Sequence, residues 1–94
     1  MKLSWDEAKR KITLEARGLD FARAAEMFDP SNFNYTIEDL RRDYGEKRYI
    51  AFGQIGERLC VVVWTPRGDG RHIISMRKAN DREQKSYHIR ARSR

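Results

Sequence analysis

The sequence predicts an α+β domain that consists of N-terminal helices, an antiparallel β-sheet meander and a basic C-terminal helix. Apolar residues in the first thirty positions recur at helical spacing. Residues 48–76 instead alternate or form β-branched runs that short turns separate. A helix-start pattern followed by many cations occupies residues 80–94. Ninety-four residues make one domain, so residues 1–94 are expected to form a single unit.

The chain is expected to open with a short strand, Lys2 to Trp5, and a helix. Residues 4–7 have the spacing of a capping box, and Asp6 is an equally good N-cap. Gly18 provides the stop, because glycine readily adopts the left-handed conformation that ends many helices. The apolar positions at helical spacing are Ala8, Ile12 and Ala16.

A second helix is predicted to begin at Asp20. Asp29-Pro30 ends it, because the residue before a proline avoids the helical conformation. Residues 33–40 are ambiguous and fit a short strand followed by a turn. The apolar stripe of the second helix consists of Phe21, Ala24, Ala25 and Phe28.

Three strands are predicted at Arg48–Ile55, Leu59–Thr65 and Arg71–Met76. The middle one is a near-continuous β-branched run, which is typical of a central strand covered on both faces. Turns at residues 56–57 and 66–70 connect the strands. Because such short connections join antiparallel neighbours, the sheet is expected to be a meander.

The last predicted element is a helix with a capping box, since Asn80 is followed three residues later by Glu83. Tyr87 and Ala91 lie on one face of this helix. The cations around that face are Arg82, Lys85, Arg90, Arg92 and Arg94. The helix is therefore expected to be amphipathic and strongly basic.

Positive charge is concentrated at the C-terminal end of the chain. Residues 1–46 hold 8 Lys and Arg against 10 Asp and Glu, whereas residues 77–94 hold 7 against 2. A cationic end on a nearly neutral body favours phosphate or an acidic protein as a partner. A solvated basic tail is the alternative that charge alone leaves open.

The composition argues against several classes of protein. No apolar run approaches the roughly 20 residues that span a bilayer, so no membrane association is expected. Cys60 is the single cysteine, and no cysteine or histidine spacing resembles a metal site. We therefore expect a cytoplasmic protein without a cofactor or a metal. Residues 68–70 have turn chemistry and do not form a phosphate-binding glycine loop.

A phosphate site is predicted at the end of the last strand. Arg77 lies there beside Lys78, and with the hydroxyl of Ser75 these side chains could hold a phosphate. Alternatively, Arg77 pairs with a carboxylate such as Glu83 or Glu46. Strand alternation places on one face Arg71, Ile73, Ser75 and Arg77.

Other side chains could complete a site for nucleic acid. Arg48 would face the same cleft as Arg77 if neighbouring strands align their ends, a register that the sequence does not determine. Tyr49 and Tyr87 could stack on bases, as single-stranded RNA recognition often requires. The alternative for Tyr87 is a core anchor with its hydroxyl at the rim.

The two histidines, His72 and His88, are candidates for proton transfer near neutral pH. His72 alternates with Ile74 and Met76, so it is expected to lie in the core. His88 belongs to the basic helix and is expected to be exposed. Glu83 could act as a base, but its capping role already accounts for it.

Several segments together resemble the BrnT family of toxins, and the resemblance covers nearly the whole chain. Its last block is the most specific, because the spacing from residues 73–75 to Arg77, Glu83 and Tyr87 is that of the family. The matching segments are residues 5–7 with Lys9, 18–21 with Ala24, 28–30, 44–53, 59–64, and 73–79 with Glu83 and Tyr87.

The resemblance implies a RelE-like fold and a metal-independent endoribonuclease that inhibits translation. It also implies a cognate ribbon-helix-helix antitoxin (BrnA-like), through which operator DNA is bound indirectly. RNA is the implied substrate, and its ribose 2′-hydroxyl would attack the adjacent phosphate. The expected catalytic residues are Arg48, Arg77, Glu46 and Tyr87. The expected RNA-binding residues are Ser75, Lys78, Arg71, Lys85 and His88.

Two positions depart from the family pattern. Residues 16–18 are Ala-Arg-Gly where the family usually carries Lys-His-Gly, and His72 stands where an arginine usually precedes Ile-Ile-Ser. Arg17 is a poor general base, because arginine does not deprotonate in proteins. Two alternatives to catalysis stay open, and the departures motivate the first of them. One is a degenerate toxin homologue that binds its antitoxin as a co-repressor, and the other is a free-standing nucleic-acid-binding protein that uses the C-terminal helix.

Overall fold

The computed structural model describes residues 2–93 and confirms an α+β fold with three helices and a five-stranded mixed sheet. A 3-10 turn, Phe21–Arg23, leads directly into the second helix. Arg94, one of the cations assigned to the basic end, lies outside the described residues. The helices are α1 (Glu7–Arg17), α2 (Ala24–Met27) and α3 (Asp81–Arg92). The strands are β1 (Leu3–Trp5), β2 (Asn34–Glu38), β3 (Tyr49–Ile55), β4 (Arg58–Arg67) and β5 (Gly70–Lys78).

Strands β2 to β5 form the predicted antiparallel meander, in which each strand pairs with the next along the chain. β1 adds a fifth strand parallel to β5, with Leu3 opposite Arg71 and Trp5 opposite Ile73. The order across the sheet is β1-β5-β4-β3-β2. Since β1 pairs with β5 only as far as Ile73, the last part of β5 has no strand neighbour on that side among the described residues.

Two apolar clusters pack on the two faces of the sheet. The first lies under the 3-10 turn and α2 and includes Phe21, Met27, Val62, Ile73 and Met76. The second lies under α3 and consists of Phe52, Leu59, Val61, Ala79 and Tyr87. β4 contributes to both clusters, which confirms the prediction that the central strand is covered on both faces.

α1 is held mainly by polar contacts, and the apolar stripe expected from its sequence faces solvent. No residue of α1 is buried, and Ile12 is 65% exposed. Arg10 binds Asp20 with 2.8 Å between Nε and Oδ1. Arg17 donates a hydrogen bond of 2.7 Å to the main-chain oxygen of Met76. The stripe predicted for the second helix also needs a correction, since Ala25 is exposed and the neighbouring turn is buried through Met27 instead.

A β-bulge interrupts the pairing of β4 with β5. Ser75 lies opposite Val63, but the next residue of β4, Trp64, lies opposite Ile73. Ile74 is therefore an extra residue on β5 without a partner in the register. Such an insertion reverses the alternation of side chains beyond it, because the period along a strand is two residues.

The bulge separates residues that simple alternation would place together. Ser75 and Arg77 lie on the α3 side of the sheet, and His72 shares that side. Arg71 lies on the opposite side, where its guanidinium is 4.9 Å from the centre of the Trp64 ring. The prediction that Arg71 and Arg77 lie on one face of the sheet is therefore wrong. The expectation that His72 lies in the core beside Ile74 and Met76 is also wrong, since His72 is only half-buried.

Candidate functional site

α3 covers only part of its face of the sheet, and a cleft of about 120 Å³ lies on the uncovered part. Ile50 of β3, Val63 of β4 and Ser75 of β5 form one row across the sheet beneath it. Arg77 lies two residues further along β5 and lines the same cleft. Arg41, from the loop between β2 and β3, completes the lining. The cleft brings two guanidinium groups and a hydroxyl together over apolar side chains.

Arg77 forms an ion pair with Glu83. This pairing was the alternative to a free phosphate-binding arginine in the sequence analysis. Its two terminal nitrogens each donate a hydrogen bond of 2.8 Å to a different oxygen of Glu83. Arg77 lowers the pKa of Glu83 below its usual range, and Glu83 raises the pKa of Arg77. Glu83 also accepts a hydrogen bond from the main-chain nitrogen of Asn80, which completes the predicted capping box of α3.

Arg41 is a site residue that sequence analysis missed. Its guanidinium donates two hydrogen bonds of 2.8 Å to Asp39, whose side chain is only 1% exposed, while Arg41 itself is 68% exposed. The hydroxyl of Tyr44 donates a further bond of 2.9 Å to Asp39. These contacts, with that of Arg41 the strongest, hold the pKa of Asp39 far below its usual range. No periodicity or motif around residues 39–44 indicates that a buried carboxylate orients an exposed arginine there.

Arg48 and Glu46 form an ion pair beside the same loop, with 3.0 Å between Nε and Oε2. The guanidinium of Arg48 also lies 4.1 Å from the centre of the Tyr44 ring. The main-chain oxygen of Arg48 accepts a hydrogen bond of 2.8 Å from the nitrogen of Asp39. Through these contacts the segment that contains Arg48 supports the loop that carries Arg41.

Arg48 and Arg77 share a face of the sheet but do not share a cleft. β3 and β5 run in the same direction, because both are antiparallel to β4. Arg77 is in register, through Val61, with Phe52, which lies four residues beyond Arg48. Four residues of strand correspond to about 13 Å. The condition under which Arg48 would face the cleft of Arg77 is therefore not met, because the two arginines lie at opposite ends of their strands.

His72 lies in the row next to that of Ser75, on the same face of the sheet but outside the lining of the cleft, and it is half-buried. Its Nδ1 atom is 2.9 Å from Oγ of Ser4, which fixes the orientation of the ring. Burial and the positive charge of Arg67 lower the pKa of His72, and Glu46 opposes that shift. A histidine with a lowered pKa is neutral at pH 7 and can accept a proton.

Tyr87 belongs to the second apolar cluster and is 6% exposed. Its ring packs on Phe33 at 5.3 Å between ring centres, and its hydroxyl donates a hydrogen bond of 2.9 Å to the main-chain oxygen of Phe33. It therefore occupies the position of a core anchor, the alternative to a catalytic or stacking role. The hydroxyl is engaged within the core, away from the residues that line the cleft.

Lys85 and His88 lie on the outer side of α3. Together with Ile89 and Arg92 they line a groove on the solvent side of the helix. Neither lines the cleft at Arg77. The structure therefore does not bring these two predicted RNA-binding residues to the same place as Ser75.

Arg71 is enclosed by aromatic rings on the face opposite the cleft. Its guanidinium lies 4.0 Å from the centre of the Phe28 ring and 4.9 Å from that of Trp64. Burial lowers the pKa of Arg71. Arg71 therefore packs at the margin of the first apolar cluster. It does not lie at the cleft, where it was predicted to contact RNA.

Lys78 also lies on the side of β5 opposite Ser75, where it is in register with Cys60. It lines a second recess, of about 430 Å³, with Ala16, Arg17 and Arg77. The predicted phosphate-binding set of Ser75, Arg77 and Lys78 is thus divided between two depressions. Arg77 is the residue that lines both of them.

Within residues 2–93, no three His, Cys, Asp or Glu side chains are grouped so that they could hold a metal ion. Over the same range, every helix is too short or too polar to cross a bilayer.

The protein is a small α+β domain with two arginines in a cleft on its sheet. Such an arrangement is typical of proteins that bind anionic ligands. A family model described as ribonuclease toxin, BrnT, of type II toxin-antitoxin system matches residues 5–83. The chain therefore belongs to this family of ribonuclease toxins, which confirms the resemblance noted in its sequence. The matched range includes every residue that lines the 120 Å³ cleft, and Glu83. No curated protein sequence matches the chain.

Proposed function

We propose that this toxin cleaves RNA without a metal ion, that it inhibits translation in this way, and that a cognate ribbon-helix-helix antitoxin neutralises it. The observation that carries the proposal is the cleft lined by Arg41, Ser75 and Arg77. Guanidinium groups suit a phosphodiester, because their planar N–H donors match pairs of phosphate oxygens. Membership of a ribonuclease toxin family supports RNA as the polymer.

In the proposed reaction the ribose O2′ atom forms a bond to phosphorus, and the bond from phosphorus to O5′ breaks. The products are a 2′,3′-cyclic phosphate and a 5′-hydroxyl end. Negative charge grows on the non-bridging oxygens, where Arg41 and Arg77 would stabilise it. Removal of one preorganised donor of this kind typically costs about 3 kcal/mol of transition-state stabilisation.

One proton must leave the 2′-hydroxyl, and one must reach O5′. We assign proton abstraction to His72, because it lies next to the row of Ser75 and its lowered pKa keeps it neutral at pH 7. Oγ of Ser4 engages Nδ1 of the ring, so Nε2 is the nitrogen that we assign to proton abstraction. The proton that His72 gains is then available for O5′. Arg48 and Glu46, which the sequence led us to expect as catalytic residues, are proposed instead to support the Arg41 loop.

The test is cleavage of a single-stranded RNA by purified protein freed of antitoxin, in buffer that contains EDTA. We expect cleavage products with 2′,3′-cyclic phosphate ends, detected by mass spectrometry. Arg77→Ala should reduce the cleavage rate by about 10² while the protein stays folded by circular dichroism. Intact RNA after incubation with folded wild-type protein would contradict the proposed activity.

A second candidate, a co-repressor without catalytic activity, is favoured by two observations. Arg77 is already paired with Glu83, and Arg17 stands where the family usually carries a histidine. Inducible expression distinguishes the two functions. The ribonuclease should arrest growth, and Arg77→Ala or co-expressed antitoxin should relieve the arrest. The co-repressor should bind the antitoxin and leave growth unchanged.

A further inference from the structure

We propose that the 430 Å³ recess between the end of α1 and the end of β5 is a second phosphate-binding subsite of the RNA path. Its lining consists of Ala16, Arg17, Arg77 and Lys78. The proposal rests on the proposed function, since it takes the ligand to be a phosphodiester of the same RNA strand that enters the cleft. The volume lies within the roughly 300–1,000 Å³ of typical ligand sites.

Alternation along β5 places the two depressions on either side of the strand end. Ser75 and Arg77 face the cleft, while Lys78, the next residue, turns to the recess. Arg77 is long enough to line both. A strand of RNA that crosses the end of β5 would therefore meet cationic groups on both sides of Arg77.

Arg17 is fixed at the recess by the geometry of the sheet. Its Nη1 atom donates a hydrogen bond of 2.7 Å to the main-chain oxygen of Met76. The pairing of β1 with β5 ends at Ile73, so no residue of β1 pairs with Met76. The guanidinium of Arg17 binds the main-chain oxygen of Met76 instead. Its other guanidinium nitrogens make no hydrogen bond to a described residue, which leaves donors in a fixed position for a ligand.

The charge balance favours the recess as an anion site. Arg41 in the cleft is paired with Asp39, and Arg77 is paired with Glu83. Neither Arg17 nor Lys78 forms an ion pair with a carboxylate among residues 2–93. A phosphate in the recess would thus meet two cations without competition from a carboxylate, and such contacts supply most of the affinity of proteins for nucleic acid.

The experiment measures binding of an uncleavable RNA, of about ten nucleotides with every 2′-hydroxyl methylated, to the full chain. Lys78→Gln is the principal variant, and Arg17→Gln is the second, because it also removes the contact with the main-chain oxygen of Met76. Each should weaken binding of the RNA roughly three- to tenfold. The slope of log K against log salt should become less steep by about 0.7, the value for one phosphate contact of a single strand. Lys11→Gln is the matched control, since Lys11 is an exposed cation on α1 outside the recess.

The outcomes separate this proposal from the proposed function. If the wild-type protein cleaves RNA but Lys78→Gln and Arg17→Gln bind the analogue with the affinity and salt slope of Lys11→Gln, the subsite is overturned and the activity stands. If the wild-type protein does not cleave RNA, yet both variants lose affinity and slope, the subsite stands and the activity is overturned. Loss of antitoxin binding in both variants, with RNA binding unchanged, would also overturn the subsite and identify the recess as a protein contact.

Discussion

Glu83 binds Arg77 through both carboxylate oxygens, at 2.8 Å each, and one of these oxygens also accepts a hydrogen bond from the main chain of Asn80. One side chain therefore closes the capping box of α3 and orients a guanidinium at the wall of the cleft. The first turn of α3 and the candidate site are coupled as a result. A phosphate that binds Arg77 has to share it with Glu83.

Glu83→Gln should release Arg77 from its carboxylate while it keeps the capping box, since glutamine also serves at that position. We expect affinity for the methylated RNA to rise about two- to threefold at low salt, because one negative charge leaves the site. The free energy of unfolding should fall by only about 0.5–1 kcal/mol, since Arg77 is 44% exposed. Glu57→Gln, an exposed change of equal charge, is the control, and an equal rise in affinity there would count against a specific role for Glu83.

Adjacent arginines offer a matched test of the loop between β2 and β3. Arg41 lines the cleft, whereas Arg42 lies 5.8 Å from the centre of the Tyr44 ring and outside the lining. Arg41→Lys should lower the cleavage rate at least about tenfold, because lysine keeps the charge but not the planar pair of donors. Arg42→Lys should change the rate less than about twofold. Equal effects in single-turnover assays would show that charge in the loop, rather than the position of Arg41, matters.

Asp39 is expected to make the stability of the protein depend on pH. The pKa of Asp39 is lowered in the folded state, so its contribution is complete above its ordinary value of about 4 and is lost as the pH falls through the lowered pKa. Asp39→Asn should therefore reduce the free energy of unfolding by about 1–2 kcal/mol at neutral pH. The difference from wild type should shrink on acidification. Urea titrations of both proteins across this range measure the difference, and Asp69→Asn, in an exposed turn, is the control for the loss of one aspartate charge.

Much of the fold follows from local features of the sequence. The predicted strand at residues 48–55 is observed as Tyr49–Ile55, and the helix expected after Asn80 begins at Asp81. β-Branched runs, glycine turns and capping boxes act within a few residues, so their effects are visible in the sequence. The parallel pairing of β1 with β5 joins residues nearly 70 positions apart in the chain, and no local pattern encodes it.

The candidate site was harder to predict, because single residues decide it. The extra residue Ile74 reverses the face of Arg71 and His72 relative to Ser75, and alternation alone cannot reveal a bulge. Arg41 reaches the cleft because a buried Asp39 orients it, which depends on how the loop folds over the sheet. The cationic end of β5 is visible in the sequence, but the residues that the fold brings to it are not, because the bulge and the loop around Arg41 determine them.

The role proposed for His72 predicts a characteristic dependence of cleavage on pH. A general base must be neutral, and burial lowers the pKa of His72 below the ordinary value of a histidine. Cleavage by wild-type protein should therefore reach its maximum on the neutral side of the ordinary histidine pKa and fall up to about tenfold per pH unit once the pH drops below the pKa of His72. Stopped assays at constant ionic strength, with the fold checked at each pH, measure this profile.

His72→Gln separates that role from a structural one. Glutamine can retain the contact with Ser4, so affinity for the methylated RNA should change less than about twofold. The cleavage rate should fall about 10²- to 10³-fold, and the acidic decline should disappear, because glutamine does not titrate. Ser4→Ala, which frees the ring without removing it, should lower the rate less and keep the decline. If His72→Gln retains the acidic decline, another group accepts the proton. If it lowers the affinity for the methylated RNA together with the cleavage rate, His72 supports binding rather than the chemical step.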